Sequence, residues 1–139
     1  MTSETTTLLV TERGFAPADP AETFLPAADV AQGTEPLGID LPADGDPATL
    51  APHFGRTAII RIPFRSFADG RGFTLARELR RLGFRGRIRA AGHLIPDQWP
   101  LARACGIDEV EIGAAQAERQ PEEAWRRPAT GPGYLDILR

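Results

Sequence analysis

Between Leu37 and Ile112 the chain alternates short, β-branched apolar runs with stretches whose apolar residues recur every three or four positions, and few folds accept that alternation. Leu37–Leu41, Thr57–Ile62, Arg87–Ala91 and Glu109–Ile112 read as strands, the second being the strongest. The stretches between them read as helices. Asp46 caps a short one with Pro47 at its first position, limited by Pro52 and ending near His53. Thr74 is the expected N-cap of the next, in which Leu75, Leu79 and Leu82 share one face and Gly83 is the stop. Asp97 caps a third that runs to about Cys105 and ends at Gly106. Strands separated in this way form βαβ units with parallel strands and right-handed crossovers. The expected fold is therefore α/β: repeated βα units making a small, mostly parallel sheet, open or half-barrel-like, over residues 36–113. Residues 1–35 are expected to be an irregular N-terminal segment, with Leu8–Thr11 as an edge strand turning at Arg13-Gly14. Residues 114–139 should add a helix near Pro121, with Glu122/Arg126 and Glu123/Arg127 as pairs four apart, then a tail at 128–133. At 139 residues these parts make a single domain.

The side-chain inventory removes whole classes of chemistry. All 16 positive residues are arginine, which excludes Schiff-base lysine chemistry and a Walker-type phosphate loop. The single cysteine, Cys105, excludes an intrachain disulfide, a four-cysteine zinc site and a self-contained iron–sulfur cluster. Its spacing from Leu101 and Ala102 puts it on the apolar side of a helix. His53 and His93 leave little for a metal centre, so neither a metal nor a resident cofactor is expected. No apolar run approaches the about 18 residues a bilayer requires, and Met1–Thr7 lacks the basic and apolar regions of a signal peptide. The expected location is the cytoplasm, with a reduced thiol and no membrane association.

The net charge of −3 conceals a strong asymmetry. Residues 1–55 hold nine acids and one arginine, residues 56–103 hold eleven arginines and three acids, and residues 104–139 hold seven acids and four arginines. Two readings compete. In the plainer one, acidic flanks fold against the basic middle or the arginines fringe a solvated face; in the other, the middle presents a surface to an anion or an acidic partner. Nucleic acid is not an expected partner, because no basic stripe is interleaved with aromatics.

Ligands of open parallel sheets bind beyond the carboxyl ends of the strands. Two loops meet that description, Phe67–Thr74 and Gly92–Gln98. If their strands are neighbours, Asp69, Arg71, His93, Asp97 and Gln98 converge. Gly70, Gly72 and Thr74 then lie at a strand-to-helix turn whose N–H groups suit a phosphate, sulfate or carboxylate, and Arg89 on the preceding strand is a further candidate ligand contact. A dinucleotide fingerprint would need glycine or alanine where Leu75 stands, and an acid at the end of a strand that reads Arg-Ile-Arg-Ala. The plainer alternatives are a glycine turn capped by Asp69, a surface histidine at 93, an N-cap at Asp97, and core positions for Trp99 and Trp125 rather than pocket walls.

The same loops carry a resemblance. Phe67-Ala-Asp-Gly-Arg-Gly-Phe-Thr-Leu-Ala-Arg-Glu-Leu-Arg80, then Gly83-Phe84, Arg87-Ile-Arg-Ala-Ala-Gly92, Asp97-Gln98 and Arg103-Ala-Cys-Gly-Ile-Asp108, resembles the bacterial family called domain of unknown function 934, over roughly residues 36–112. Its members are commonly labelled as probable oxidoreductases involved in sulfite reduction, and their genes tend to sit beside those for sulfite reductase and phosphoadenylylsulfate reductase. The resemblance implies a role in sulfur assimilation and cysteine biosynthesis and carries no established catalytic residues with it. Known sulfite reductases use a sirohaem coupled to a cysteine-ligated iron–sulfur cluster, a ligand set that one cysteine cannot supply. The expectation is an accessory protein of assimilatory sulfate and sulfite reduction, acting with sulfite reductase or another sulfate-assimilation protein. The alternative is a small-molecule enzyme or oxyanion-binding protein with its site between the 67–74 and 92–98 loops.

Overall fold

The structure, a computed structural model, describes residues 7–19, 21–65 and 70–126. One seven-stranded sheet organises them. Its strands are β1 (Thr7–Thr11), β2 (Gly14–Pro17), β3 (Leu25–Pro26), β4 (Leu37–Asp40), β5 (Thr57–Phe64), β6 (Arg87–Gly92) and β7 (Glu109–Gly113), in the spatial order β2-β1-β7-β6-β5-β4-β3. β3 to β7 are parallel and lie side by side in chain order. β1 joins β7 antiparallel, and β2 joins β1 antiparallel. The architecture is the expected mostly parallel α/β sheet, in its open form. One detail is corrected: Leu8–Thr11 is not an edge strand. The turn at Arg13-Gly14 folds β2 back outside β1, so β1 lies between β2 and β7.

The connections are the 3₁₀ segments Ala27–Gln32 and Pro47–Arg56, helix α1 (Arg71–Arg81), and the 3₁₀ turn Pro96–Gln98 leading into α2 (Trp99–Ala104). Two short helices follow β7: α3 (Ala114–Arg119) and α4 (Glu122–Arg126). Every step between parallel strands goes the same way along the sheet, so right-handed crossovers put all the connecting helices on one face.

Strand alternation shows which side chains that face receives. Leu37 and Ile39 of β4, Ile60, Ile62 and Phe64 of β5, Ile88 and Ala90 of β6, and Val110 and Ile112 of β7 are buried against the helices. Helix α1 contributes Phe73, Leu75, Ala76 and Leu79 to the same core. The other face carries Asp40, Arg61, Arg87, Arg89, Glu109 and Glu111, the residues one position out of phase. Pro63 is tolerated in the middle of the sheet because β4 has already ended at its pairing with Arg61. The N–H that proline lacks would have pointed to a neighbour that is no longer there.

The local signals mostly act as expected. The Asp46 carboxylate accepts the Ala48 N–H at 3.0 Å, although the segment it caps is 3₁₀ and continues to Arg56. Gly83 and Gly106 both adopt positive φ, +105° and +100°. The Gly83 and Phe84 N–H groups reach Arg80 O and Leu79 O at 3.0 Å each. The Gly106 and Ile107 N–H groups reach Arg103 O at 3.0 Å and Ala102 O at 2.9 Å. This paired pattern ends both α1 and α2. Two caps differ from expectation. Helix α1 starts a turn early, at Arg71, and Thr74 lies inside it, its N–H 3.4 Å from Gly70 O. Gly72 permits that start, since the Phe64 ring occupies the space a side chain would need. Pro96 likewise starts its turn before Asp97, and the cap is made by Gln98, whose Oε1 accepts the Ile95 N–H at 3.2 Å. The Glu122–Arg126 pair forms at 3.3 Å. Arg127 and the expected tail lie outside the described residues.

The charge asymmetry resolves into pairs between the basic middle and the acidic flanks. Arg61 meets Asp40 and Glu111, Arg87 and Arg89 meet Glu22 and Glu109, Arg80 meets Asp108, and Arg103 meets Glu12. Arg80 also donates to the carbonyls of Phe84, Gly86 and Gly106 at 2.8–3.1 Å, tying the end of α1 to the starts of β6 and β7.

Candidate functional site

The face of the sheet opposite the described connecting helices is where the charged side chains gather. The pairing register places Asp40, Arg61, Arg89 and Glu109 in one row across β4 to β7. Two arginines therefore stand opposite each other on adjacent strands, an arrangement that repels unless something lies between them. Glu111, one row further on, fills that role: its Oε1 accepts from Arg61 Nη1 and from Arg89 Nη1, both at 3.2 Å. Arg61 also binds Asp40 through two parallel bonds, Nε to Oδ1 at 2.6 Å and Nη2 to Oδ2 at 2.9 Å. Arg89 donates to Glu109 and to Glu22 at 2.6 Å each, and Arg87 bridges the same two carboxylates at 2.8 and 3.0 Å. The Phe24 ring lies over both guanidiniums, 4.0 Å from Arg61 and 5.4 Å from Arg89.

Hydrogen bonding to Asp40 is the main influence on Arg61 and holds its pKa above the ordinary arginine value. Arg89 is only 2% exposed. Burial opposes its charge, yet the bonds from Glu22 and Glu109 outweigh that and raise its pKa. The reciprocal effect acts on Glu22: burial favours the neutral acid, and the bonds from Arg89 and Arg87 overcome it and lower the pKa. All three groups are thus held in their charged forms.

Two cavities open on this face and share Arg61 and Glu111. One, of about 610 Å³, sits at the carboxyl ends of the strands. Pro26, Ala27, Ala28, Leu41, Pro42, Pro63 and Ala91 give it apolar walls, and Asp40, Arg61 and Glu111 supply its polar group. It exists because β3 and β4 stop at Pro26 and Asp40 while β5 runs on to Phe64. The other, of about 630 Å³, lies toward Thr7, Pro17–Asp19 and Glu22–Phe24 and includes Arg89. A cavity with apolar walls around a few fixed polar groups is the usual form of a small-ligand or side-chain pocket.

The residues expected to form a site divide between the two faces. β5 and β6 are neighbours, Phe64 pairs with Gly92, and the His93 N–H donates to Phe64 O at 3.0 Å, so the strands that lead into the two loops lie side by side; residues 66–69 of the first loop lie outside the described residues. Gly70, Arg71, Thr74, His93 and Asp97 are exposed there, and Gln98 is half-buried. Arg71 Nε reaches Ala43 O at 2.9 Å. Gly72 is buried under Phe64 and serves packing. Asp69 lies outside the described residues. Arg89 is apart from this group, on the opposite face of the sheet. Sequence reasoning missed Asp40, Arg61 and Glu111. Arg61 did leave a signal, a charge inside the otherwise apolar run Ile59-Ile60-Arg61-Ile62. Glu22 and Phe24, in a stretch without periodicity, left none.

A family model described as "Bacterial protein of unknown function (DUF934)" matches residues 38–130, more than half of the chain. The chain belongs to that family. The DUF934 match runs from β4 through α4 and so continues past Ile112, where the resemblance carried by the loop motifs ended. Arg61, Arg89, Glu109 and Glu111 fall inside it, and Glu22 and Phe24, which cover them, fall outside. No curated protein and no solved structure matches the chain. No helix among the described residues is long and apolar enough to cross a membrane.

Proposed function

We propose that this DUF934 protein is a cytoplasmic accessory factor of assimilatory sulfite reduction, one that binds sulfite reductase or a neighbouring enzyme of the route and does not catalyse alone. The reading is supported by membership of DUF934 and by the resemblance its loop motifs carry, and the carboxyl-end cavity is the surface we assign to the partner. Its charged groups, Asp40, Arg61 and Glu111, are committed to one another, while its walls are prolines, alanines and a leucine. Such a pocket seats and orients an apolar group next to one fixed polar contact. Cys105, the one thiol of the chain, is buried, and burial pushes its pKa up against the weaker influence of Arg77. A thiol held protonated in this way is poorly suited to redox exchange.

One observation favours a second reading, an oxyanion or small-molecule site between the loops. The Phe64–Gly92 pairing makes neighbours of the strands that lead toward Gly70–Thr74 and toward His93–Asp97, and Gly70, Arg71, Thr74, His93 and Asp97 are exposed. Growth of a deletion strain on sulfate, sulfite or sulfide as sole sulfur source tests both. Growth on sulfide alone is expected, with rescue on sulfite by the wild-type gene. Failure of Arg61→Ala to rescue, with Arg71→Ala and Asp97→Ala rescuing, supports the cavity; the reverse supports the loops. Normal growth of the deletion strain on all three sources would remove the protein from the route.

A further inference from the structure

Away from the charged sheet face, the β1–β2 turn, α2 and α4 enclose a cavity of about 450 Å³. Three of its lining residues are arginines, Arg13, Arg103 and Arg126, and only one is an acid, Glu12. Trp99 and Trp125 form the floor, meeting edge-to-face with centroids 6.5 Å apart. We propose that this cavity is a binding site for a small phosphate monoester, the phosphate held by the three guanidiniums and the body of the ester lying against the indoles.

Three guanidiniums around one cavity repel one another, and the acids present offset this only in part. Glu12 pairs with Arg103 at 2.5 Å, but its side chain is 62% exposed and reaches the cavity from the rim. Glu122 stands 3.3 Å from Arg126, and the same Oε2 accepts the Phe15 N–H at 2.8 Å. The Arg13 guanidinium forms no ion pair with the described residues. With Glu122 counted, three positive charges stand against two negative, and the excess suits an anion; a phosphate monoester, which approaches a dianion at neutral pH, draws the guanidiniums more strongly than a monoanion does. Planar guanidiniums also match phosphate oxygens in pairs.

Contacts among the lining residues tie the scaffold together. The Arg103 guanidinium lies over the Trp99 ring at 5.7 Å, Arg126 donates to Arg13 O at 3.1 Å, and Trp125 Nε1 donates to Gln120 O at 2.9 Å. Gly14, in the turn, has no side chain to occupy the space taken by Glu122 and Arg126. The cavity is larger than a bare phosphate needs, which is why an ester is assigned. It shares no residue with the carboxyl-end cavity, so its test succeeds or fails independently of the role in sulfite reduction.

The chain has two tryptophans, and both line this cavity, so emission excited selectively from tryptophan comes from its walls. Purified protein is titrated calorimetrically and by tryptophan emission with phenyl phosphate, phenyl sulfate and inorganic phosphate at constant ionic strength. Phenyl phosphate is expected to give saturable heat and a matching emission change, and to bind tighter than either other probe. The double variant Arg13→Gln/Arg126→Gln alters exposed side chains, and circular dichroism checks that it folds. It should weaken phenyl phosphate by about tenfold or more, as expected for the loss of charged hydrogen bonds. No saturable heat, equal affinity for phenyl sulfate or inorganic phosphate, or an affinity unchanged in the double variant would overturn the assignment.

Discussion

Arg89 shows how a residue can look like a ligand contact and belong to the frame. It lies in a basic stretch on a strand near the expected loops, yet its side chain is 2% exposed and its bonds go to Glu22, Glu109 and Glu111. Replacing it with methionine should destabilise the fold by about 3 kcal/mol, the low end for breaking a buried pair. The low end applies because Arg87 still holds Glu22 and Glu109. Urea unfolding measures the change, and a loss below about 0.5 kcal/mol, the range of ordinary surface substitutions, would contradict this role. Sequence showed that Arg61 and Arg89 are charges within apolar strands. It could not show that they share a row, because a row depends on register between strands separated by a whole crossover.

At the scale of elements, the punctuation was the most legible part. Both glycine stops, the Asp46 cap and the four parallel strands after Leu37 occur as their local signals imply. The errors lie where tertiary contacts override a cap. Phe64 above Gly72 lets α1 begin before Thr74, and Pro96 starts its turn before Asp97. The two glycine stops also differ in a measurable way. At Gly83 a methyl group would meet nothing nearby, so Gly83→Ala bears only the strain of the left-handed backbone, about 1–2 kcal/mol. At Gly106 the methyl would also collide with the Arg80 side chain, which donates to Gly106 O. Gly106→Ala should therefore lower the unfolding midpoint more than Gly83→Ala. Equal losses would mean that Arg80 yields without cost.

Across the whole molecule, the acidic flanks fold onto the basic middle and make stability depend on pH. The Glu22 pKa lies below the ordinary 4.5 in the folded state, because the Arg89 and Arg87 bonds outweigh the opposing effect of burial. A carboxylate with a depressed folded pKa contributes stability that is complete above its unfolded value and is lost as pH falls through the folded one. Urea midpoints should hold above pH 4.5 and decline below it, and Glu22→Gln should start lower and decline less steeply over that window. A parallel decline in both proteins would remove Glu22 from the effect. Strand order at this scale was not legible. The charge map offered internal pairing as one of two readings, but nothing in Leu8–Thr11 signalled that it would sit beside β7, about a hundred residues further on.

That position has a consequence for synthesis. Leu8 pairs with Ile112, and Val10 with Val110. During translation the β1–β2 hairpin leaves the ribosome before the parallel strands and must wait, unpaired along one edge, until β7 has followed it. The strands after Leu37 can add in the order they are made, each beside the one before. β1 is made before the parallel strands and placed after them, and a protein truncated before β7 would expose a β1 edge that β7 covers.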